Sequence, residues 1–230
     1  MSFFRTLVDF LLPRYCIACG RELVGQEEHL CNSCLCRIRP IDWAEAGDNH
    51  LLRRLWEMHD VEAGGSTFYY RHESDFHNIF VMLKYASRPD IARDLARSTF
   101  PLWMERGLAD GVDFIIPVPL AARRLWHRGY NQAEWVAKGV ADVCKLPLKT
   151  DILVRTRNNS TQTHKDLAKR KEAMSGVFDV RGNADLNGKT VLLVDDIITT
   201  GSTIADCIRA LRERYRDVNI RVYSLGWSGK

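Results

Sequence analysis

The stretch VLLVDDIITTGST (residues 191–203) decides how this chain is read. Val191, Leu192, Leu193 and Val194 form an apolar run with no polar face, as expected of a strand buried on both sides. It runs into two adjacent carboxylates, Asp195 and Asp196. Thr199, Thr200, Gly201, Ser202 and Thr203 follow, and STIADCIRALRER (202–214) carries the period of a helix. Outward from this centre the pattern alternates. DFIIPVP (113–119) predicts a strand, NQAEWVAKGVADVC (131–144) a helix, LKTDILVR (148–155) a weaker strand and NIRVYSLGW (219–227) a last strand. Strands alternating with helices predict an α/β domain, an open parallel sheet covered by helices on both faces. Ligands of such sheets bind beyond the carboxyl ends of the strands, where Asp195 and Asp196 stand.

The chemistry of the segment points to a phosphorylated sugar. A hydroxyl-rich loop entering a helix offers backbone N–H groups, side-chain hydroxyls and the positive end of the helix dipole to an anion. Gly201 lets the backbone approach without a Cβ in the way. Two carboxylates cannot share that phosphate, so they suit the hydroxyls of the attached sugar or a bridging Mg²⁺. The competing view is a helix cap beside a structural acid pair. A Walker loop is excluded because Gly-Lys-Ser/Thr is missing, and a dinucleotide fingerprint because Gly-x-Gly-x-x-Gly is missing.

Five of the seven cysteines fall between residues 16 and 36. Cys16-x-x-Cys19 and Cys31-x-x-Cys34 are paired knuckles, the spacing of a structural four-sulfur Zn²⁺ site. Cys36 and His29 are rival ligands. Cys144 and Cys207 sit alone in apolar helical surroundings, as small core residues do. The formal net charge of +4 identifies no nucleic-acid partner by itself. The basic excess lies beyond residue 60, since residues 1–60 hold seven Arg, no Lys and nine acids. No apolar run is long enough to span a bilayer. The opening MSFFRTLVDFLLPRYC predicts an amphipathic helix (Phe4, Leu7, Val8, Leu11) without a cleavage site, so a cytoplasmic protein with reduced thiols and no membrane insertion is expected.

Three stretches are expected: a zinc-ribbon-like module at 1–40, a mainly helical connecting region at 41–110 and the core domain at 111–230. Within the connecting region AGGSTFYYRH (63–72) reads as a hairpin and SDFHNIFVMLKY (74–85) as a helix capped by Ser74. A second helix is expected from Pro89 to about residue 106.

The acidic segment resembles the phosphoribosyl-pyrophosphate (PRPP) motif of type I phosphoribosyltransferases. The paired cysteines, MLKY (82–85), IPVPLAARRLWHRGYNQAE (116–134) and TQTHKDLAKRKEAMSGVF (161–178) extend the resemblance to the ComF family of ComFC- and GntX-like proteins. That family joins a four-cysteine zinc module to a phosphoribosyltransferase-like domain. The resemblance implies that Asp195 and Asp196 hold the ribose hydroxyls and that residues 199–203 wrap the 5′-phosphate. Val118 and Pro119 then belong to the pyrophosphate-side loop, Arg128 and Arg124 to the catalytic group, and Gln162 and Arg170 to a flexible loop. It implies PRPP with Mg²⁺, or a nucleotide, as ligand, and phosphoribosyl transfer to an unknown acceptor. The alternative is a non-enzymatic competence accessory that handles single-stranded DNA with a DNA-uptake protein partner. The segment 155–171 has six Lys and Arg against one acid and suits either a closing loop or a DNA contact.

Overall fold

The computed structural model describes residues 13–37, 47–70, 76–85, 88–156 and 176–229. The expected N-terminal helix, the Ser74 cap, Gln162, Arg170 and most of the basic segment lie outside them. The described helices are α1 (Asn32–Arg37), α2 (His50–Trp56), α3 (His77–Tyr85), α4 (Pro89–Thr99), α5 (Pro101–Met104), α6 (Ala122–Arg128), α7 (Gln132–Cys144) and α8 (Ser202–Arg214). The strands are β1 (Ala63–Tyr69), β2 (Phe114–Pro117), β3 (Leu153–Arg155), β4 (Phe178–Val180), β5 (Thr190–Ile198) and β6 (Asn219–Trp227).

A four-stranded sheet of order β1-β6-β5-β2 is parallel throughout. Successive side chains of β5 point to opposite faces, and both faces are buried. Leu192 and Val194 join one core with Ile79, Leu95, Phe100 and Val136, from α3, α4, α7 and the α4–α5 junction. Val191 and Leu193 join the other with Leu52, Ile204, Ile208 and Phe178, from α2, α8 and β4. This two-sided burial is why the strand reads as an unbroken apolar run. On the first face α4 and α7 approach so closely that a Cβ on Gly139 would meet the Ala96 Cβ at 2.7 Å.

Four expectations change. Residues 63–69 are not half of a hairpin; they form β1, which pairs parallel with β6, from Ala63↔Arg221 to Tyr69↔Trp227. The strand read at 148–155 is divided: Leu148 bridges in parallel to Ile115 of β2, with the Lys149 N–H donating to the Ile115 carbonyl at 2.9 Å, whereas β3 (153–155) pairs antiparallel with β4 in a two-stranded sheet of its own. The helix expected to run from Pro89 to about residue 106 divides at Pro101, which has no N–H to continue the ladder.

The sheet register creates the crevice. β2 pairs with β5 only as far as Pro117↔Val194, whereas β6 follows β5 to Ile198↔Trp227. From Asp195 onward β5 keeps a neighbour on the β6 side and has lost the one on the β2 side. The strand therefore does not end at the acids, as expected, but carries them along a half-open edge.

Candidate functional site

A cleft of roughly 450 Å³ opens where β2 leaves β5. Of the residues singled out in the sequence, Val118, Pro119, Arg124, Arg128, Asp195, Asp196, Thr199 and Thr203 line it. Thr200, Gly201 and Ser202 belong to the same turn without facing the cleft. Tyr70, Leu120, Asn131, Arg155 and Ile197 also line it and were not anticipated.

Each wall has a local cause. The Val118 N–H donates to the Val194 carbonyl at 2.8 Å, and the Asn131 side-chain amide donates to the Val118 carbonyl at 3.0 Å. Together they tie the loop after β2 to β5 and to the start of α7. Gly129 takes a left-handed conformation at φ 76° and ends α6, whose Arg124 and Arg128 are one turn apart and share a face. Arg128 donates to the Gln132 side chain at 3.2 Å. Gly201, at φ 84°, turns the chain from β5 into α8, and a Cβ there would meet Met58 Cε at 2.6 Å. No side chain of Gly201 can cap α8. The Thr200 and Ser202 hydroxyls lie 3.1 Å apart in the exposed turn.

The acids are held at a cost. Asp195 is only 8% exposed, and burial pushes its carboxyl well above the ordinary range, with the Asp196 charge adding to the effect. The Asp196 backbone N–H, donating to Asp195 Oδ1 at 2.8 Å, works the other way, as does the charge of Arg155. Such a site gains from a ligand that brings hydroxyl donors or positive charge. Arg155 itself is pulled below its ordinary range by burial and by the positive charge of Arg124.

The second candidate site is the cysteine module. The sulfurs of Cys16, Cys19, Cys31 and Cys34 lie within 4.8 Å of one another. Backbone amides point at them: Cys31 N–H donates to Cys16 Sγ and Cys34 N–H to Cys31 Sγ, each at 3.4 Å. Gly20, at φ 72°, makes the first knuckle turn, with its N–H donating to the Cys16 carbonyl at 2.8 Å. Burial raises the Cys31 thiol, but hydrogen bonds from the Cys34 amide and the Arg21 guanidinium outweigh it and bring the thiol down to about 6. Burial pushes the Cys34 thiol up instead. Four converging sulfurs with N–H support fit a tetrahedral Zn²⁺. The rivals stand aside: Cys36 is exposed, and His29 bonds Asp94 of α4 at 3.1 Å. Leu23, Leu30, Cys16, Cys31 and Cys34 share one apolar core with α4, so the module is packed on the same side of the sheet.

Residues 130–224 match the phosphoribosyl transferase domain family. The chain is 32% identical over 132 residues to the DNA utilization protein YhgH of Salmonella typhi, covering 56% of this chain and 57% of that one. It is 24% identical over 224 residues to the competence protein ComFC of Bacillus subtilis, covering 92% and 83%. The chain is a homologue of these DNA utilization and competence proteins. It joins a four-cysteine module to a phosphoribosyltransferase-like domain, although the alignment spans little more than half the length of the YhgH relatives it matches first. Among solved structures, a purine phosphoribosyltransferase from Pyrococcus horikoshii aligns at 17% identity with a TM-score of 0.37, covering 60% of this chain and 84% of that one. The matched domain begins at residue 130, so the cysteine module, β2 and α6 lie outside it. Among the described residues no helix is long and apolar enough to cross a membrane.

Proposed function

We propose that the cleft binds PRPP with its Mg²⁺. Asp195 and Asp196 accept from the ribose 2′- and 3′-hydroxyls, the turn at 199–203 receives the 5′-phosphate through Thr199 and Thr203, which line the cleft, and Arg124 and Arg128 face the pyrophosphate. The observation that carries this reading is the pair of acids crowded at the half-open edge of β5, in one cleft with Thr199 and Thr203 of the hydroxyl-rich turn and two arginines. Anion donors and sugar-hydroxyl acceptors are thus placed along one cleft rather than scattered. The reaction this arrangement suits is displacement at C1 of the ribose. An acceptor's lone pair forms the new bond, the C1–O bond breaks, pyrophosphate leaves with its electron pair, and the acceptor's proton passes to solvent. The arginines neutralise charge that builds on the leaving group. Val118 and Pro119 shape the wall beside it. Bound Mg²⁺ supplies further charge neutralisation to the pyrophosphate. The zinc module is structural and the protein works in the cytoplasm. Pyrophosphate release measured across a panel of bases and amines tests the reading. Release that requires an acceptor and disappears in Asp195→Asn/Asp196→Asn supports it, and no release with any acceptor refutes transfer.

A second reading, DNA handling with a nucleotide-sensing pocket, is favoured by α6. Trp126 is 81% exposed, no residue of the helix is buried, and Arg123 and His127 share its outer face. Exposed indole beside arginine suits the bases and phosphates of single-stranded DNA. Two relatives are named for DNA utilization and competence. Salt-dependent binding of an oligonucleotide, weakened by neutralising Lys165, Lys169 and Lys171 or by Trp126→Ala, would support it. Binding insensitive to all of these would exclude it.

A further inference from the structure

Two carboxylates of α4 converge on one nitrogen of the cysteine module. Asp90 and Asp94 stand four residues apart on the helix and share a face. His29, from the chain between the two knuckles, meets that face. Its Nε2 lies 3.1 Å from Asp94 Oδ2 and 3.8 Å from Asp90 Oδ2. The nitrogen and one oxygen of each carboxylate all lie within 4.8 Å of one another. An imidazole nitrogen carries at most one hydrogen, and the Asp94 contact already takes it. The Asp90 carboxylate is therefore surplus to a hydrogen bond, and it is brought toward Asp94 against like-charge repulsion. A cation seated between the three atoms would use them all.

The dimensions suit such an ion. With metal–ligand bonds of about 2.0–2.2 Å, the ligands of a tetrahedral site stand about 3.4 Å apart. The two nitrogen–oxygen separations bracket that spacing. Each carboxylate also accepts from an arginine, Asp90 from Arg88 at 2.6 Å and Asp94 Oδ1 from Arg97 at 3.4 Å. Such outer partners orient metal-binding carboxylates without using every lone pair. Beside the group lies a cavity of roughly 130 Å³ lined by His29, Asp94, Glu28, Asn32 and Ser98, with room for water to complete a coordination sphere. We propose that His29, Asp90 and Asp94 form a second metal site, for an exchangeable first-row divalent cation such as Zn²⁺ or Co²⁺, which ties the cysteine module to α4. One imidazole with two carboxylates suits these ions, whereas Mg²⁺ and Ca²⁺ favour oxygen alone. Three protein ligands leave a position open, so the ion is held less tightly than in the closed four-sulfur site. The site shares no lining residue with the cleft and does not depend on what the cleft binds.

Titration of the full-length protein with Co²⁺, after dialysis and a count of the zinc it retains, tests the assignment by calorimetry and absorption together. One further ion per chain should bind, with the visible bands of cobalt in nitrogen and oxygen ligands and without the intense near-ultraviolet band of cobalt thiolate. The retained zinc should be unchanged, and excess Mg²⁺ should not compete. His29→Gln and Asp94→Asn should each weaken the added Co²⁺ at least about tenfold, since loss of an outer partner alone costs that much. Co²⁺ should also raise the melting temperature of the wild type and leave that of His29→Gln where it was. If His29→Gln does not fold, Asp90→Asn carries the same comparison, because Asp90 is the most exposed of the three side chains. No further ion in the wild type, or binding that the variants leave unchanged, would reduce the trio to an ion pair and overturn the proposal. A thiolate band with release of zinc and no additional ion would overturn it too, by placing the cobalt among the cysteines.

Discussion

The cysteine module and the cleft both gather reactive side chains, and they do so in opposite ways. In the module the four sulfurs face one another, backbone amides support them, and the rival groups Cys36 and His29 are left outside or bonded elsewhere. Nothing in that group is left for an exchangeable ligand. In the cleft Asp195 is buried against Asp196 with its carboxyl raised, and Arg124 opposes Arg155. Like charges are held near one another at the open end of a strand. A closed arrangement of this kind suits a permanent ion that adds to folding, and an open, strained one suits a ligand that comes and goes.

Stripping the metal is the harshest way to break that contrast. A strong chelator should release about one zinc per chain, as a closed four-ligand site requires. It should also expose residues 13–37 to limited proteolysis while the parallel sheet stays folded. Cys31→Ser should behave alike. If the chelated protein is as resistant as the native one, the module is held by its apolar contacts with α4 alone. At the cleft, Gly201→Ala forces a side chain into a left-handed conformation and against Met58, so it should destabilise by about 1–3 kcal/mol and lower the melting temperature.

The electrostatic strain is open to a pH test. The native Asp195 carboxyl holds its proton more tightly than it would in the unfolded chain. Its contribution to stability is therefore present at low pH and is lost as pH rises from the ordinary carboxylate range toward the raised native value. Asp195→Asn should melt higher than wild type at neutral pH and flatten that part of the stability curve, while abolishing ligand binding. A variant that melts lower at neutral pH would show that the ionised acid is satisfied as it stands. The smallest effect is expected from Trp126→Ala. It should shift the melting temperature by no more than about 0.5 kcal/mol allows, since the indole packs on little, and should change only oligonucleotide binding.

What was legible in the sequence follows from which contacts are local. The β5 run and the paired cysteines announce themselves because two-sided burial and metal spacing leave marks within a few residues. β1 did not, because its partner β6 lies more than 150 residues away and the pairing is parallel. Its glycines answer to that distant packing too: a Cβ on Gly65 would sit 2.6 Å from the Trp103 ring. Those glycines read locally as a turn. The acids were recognised, but the register that opens the sheet beside them depends on where β2 stops. Arg155 was hidden for a different reason. In sequence it merges with the basic stretch that follows, and only the β3–β4 pairing turns it inward. The exposure of Trp126 on α6 is a property of the folded surface and leaves no mark in the local sequence.

Whether the cleft is a PRPP site is decided by calorimetry with Mg²⁺–PRPP on the wild-type chain and on Asp195→Asn/Asp196→Asn. Saturable one-site binding to the wild type is expected, with its loss, by at least about a hundredfold, in a double variant that still folds. Wild-type binding that survives unchanged in the double variant, or no binding to the wild type at all, would contradict the assignment of the acids to the ribose.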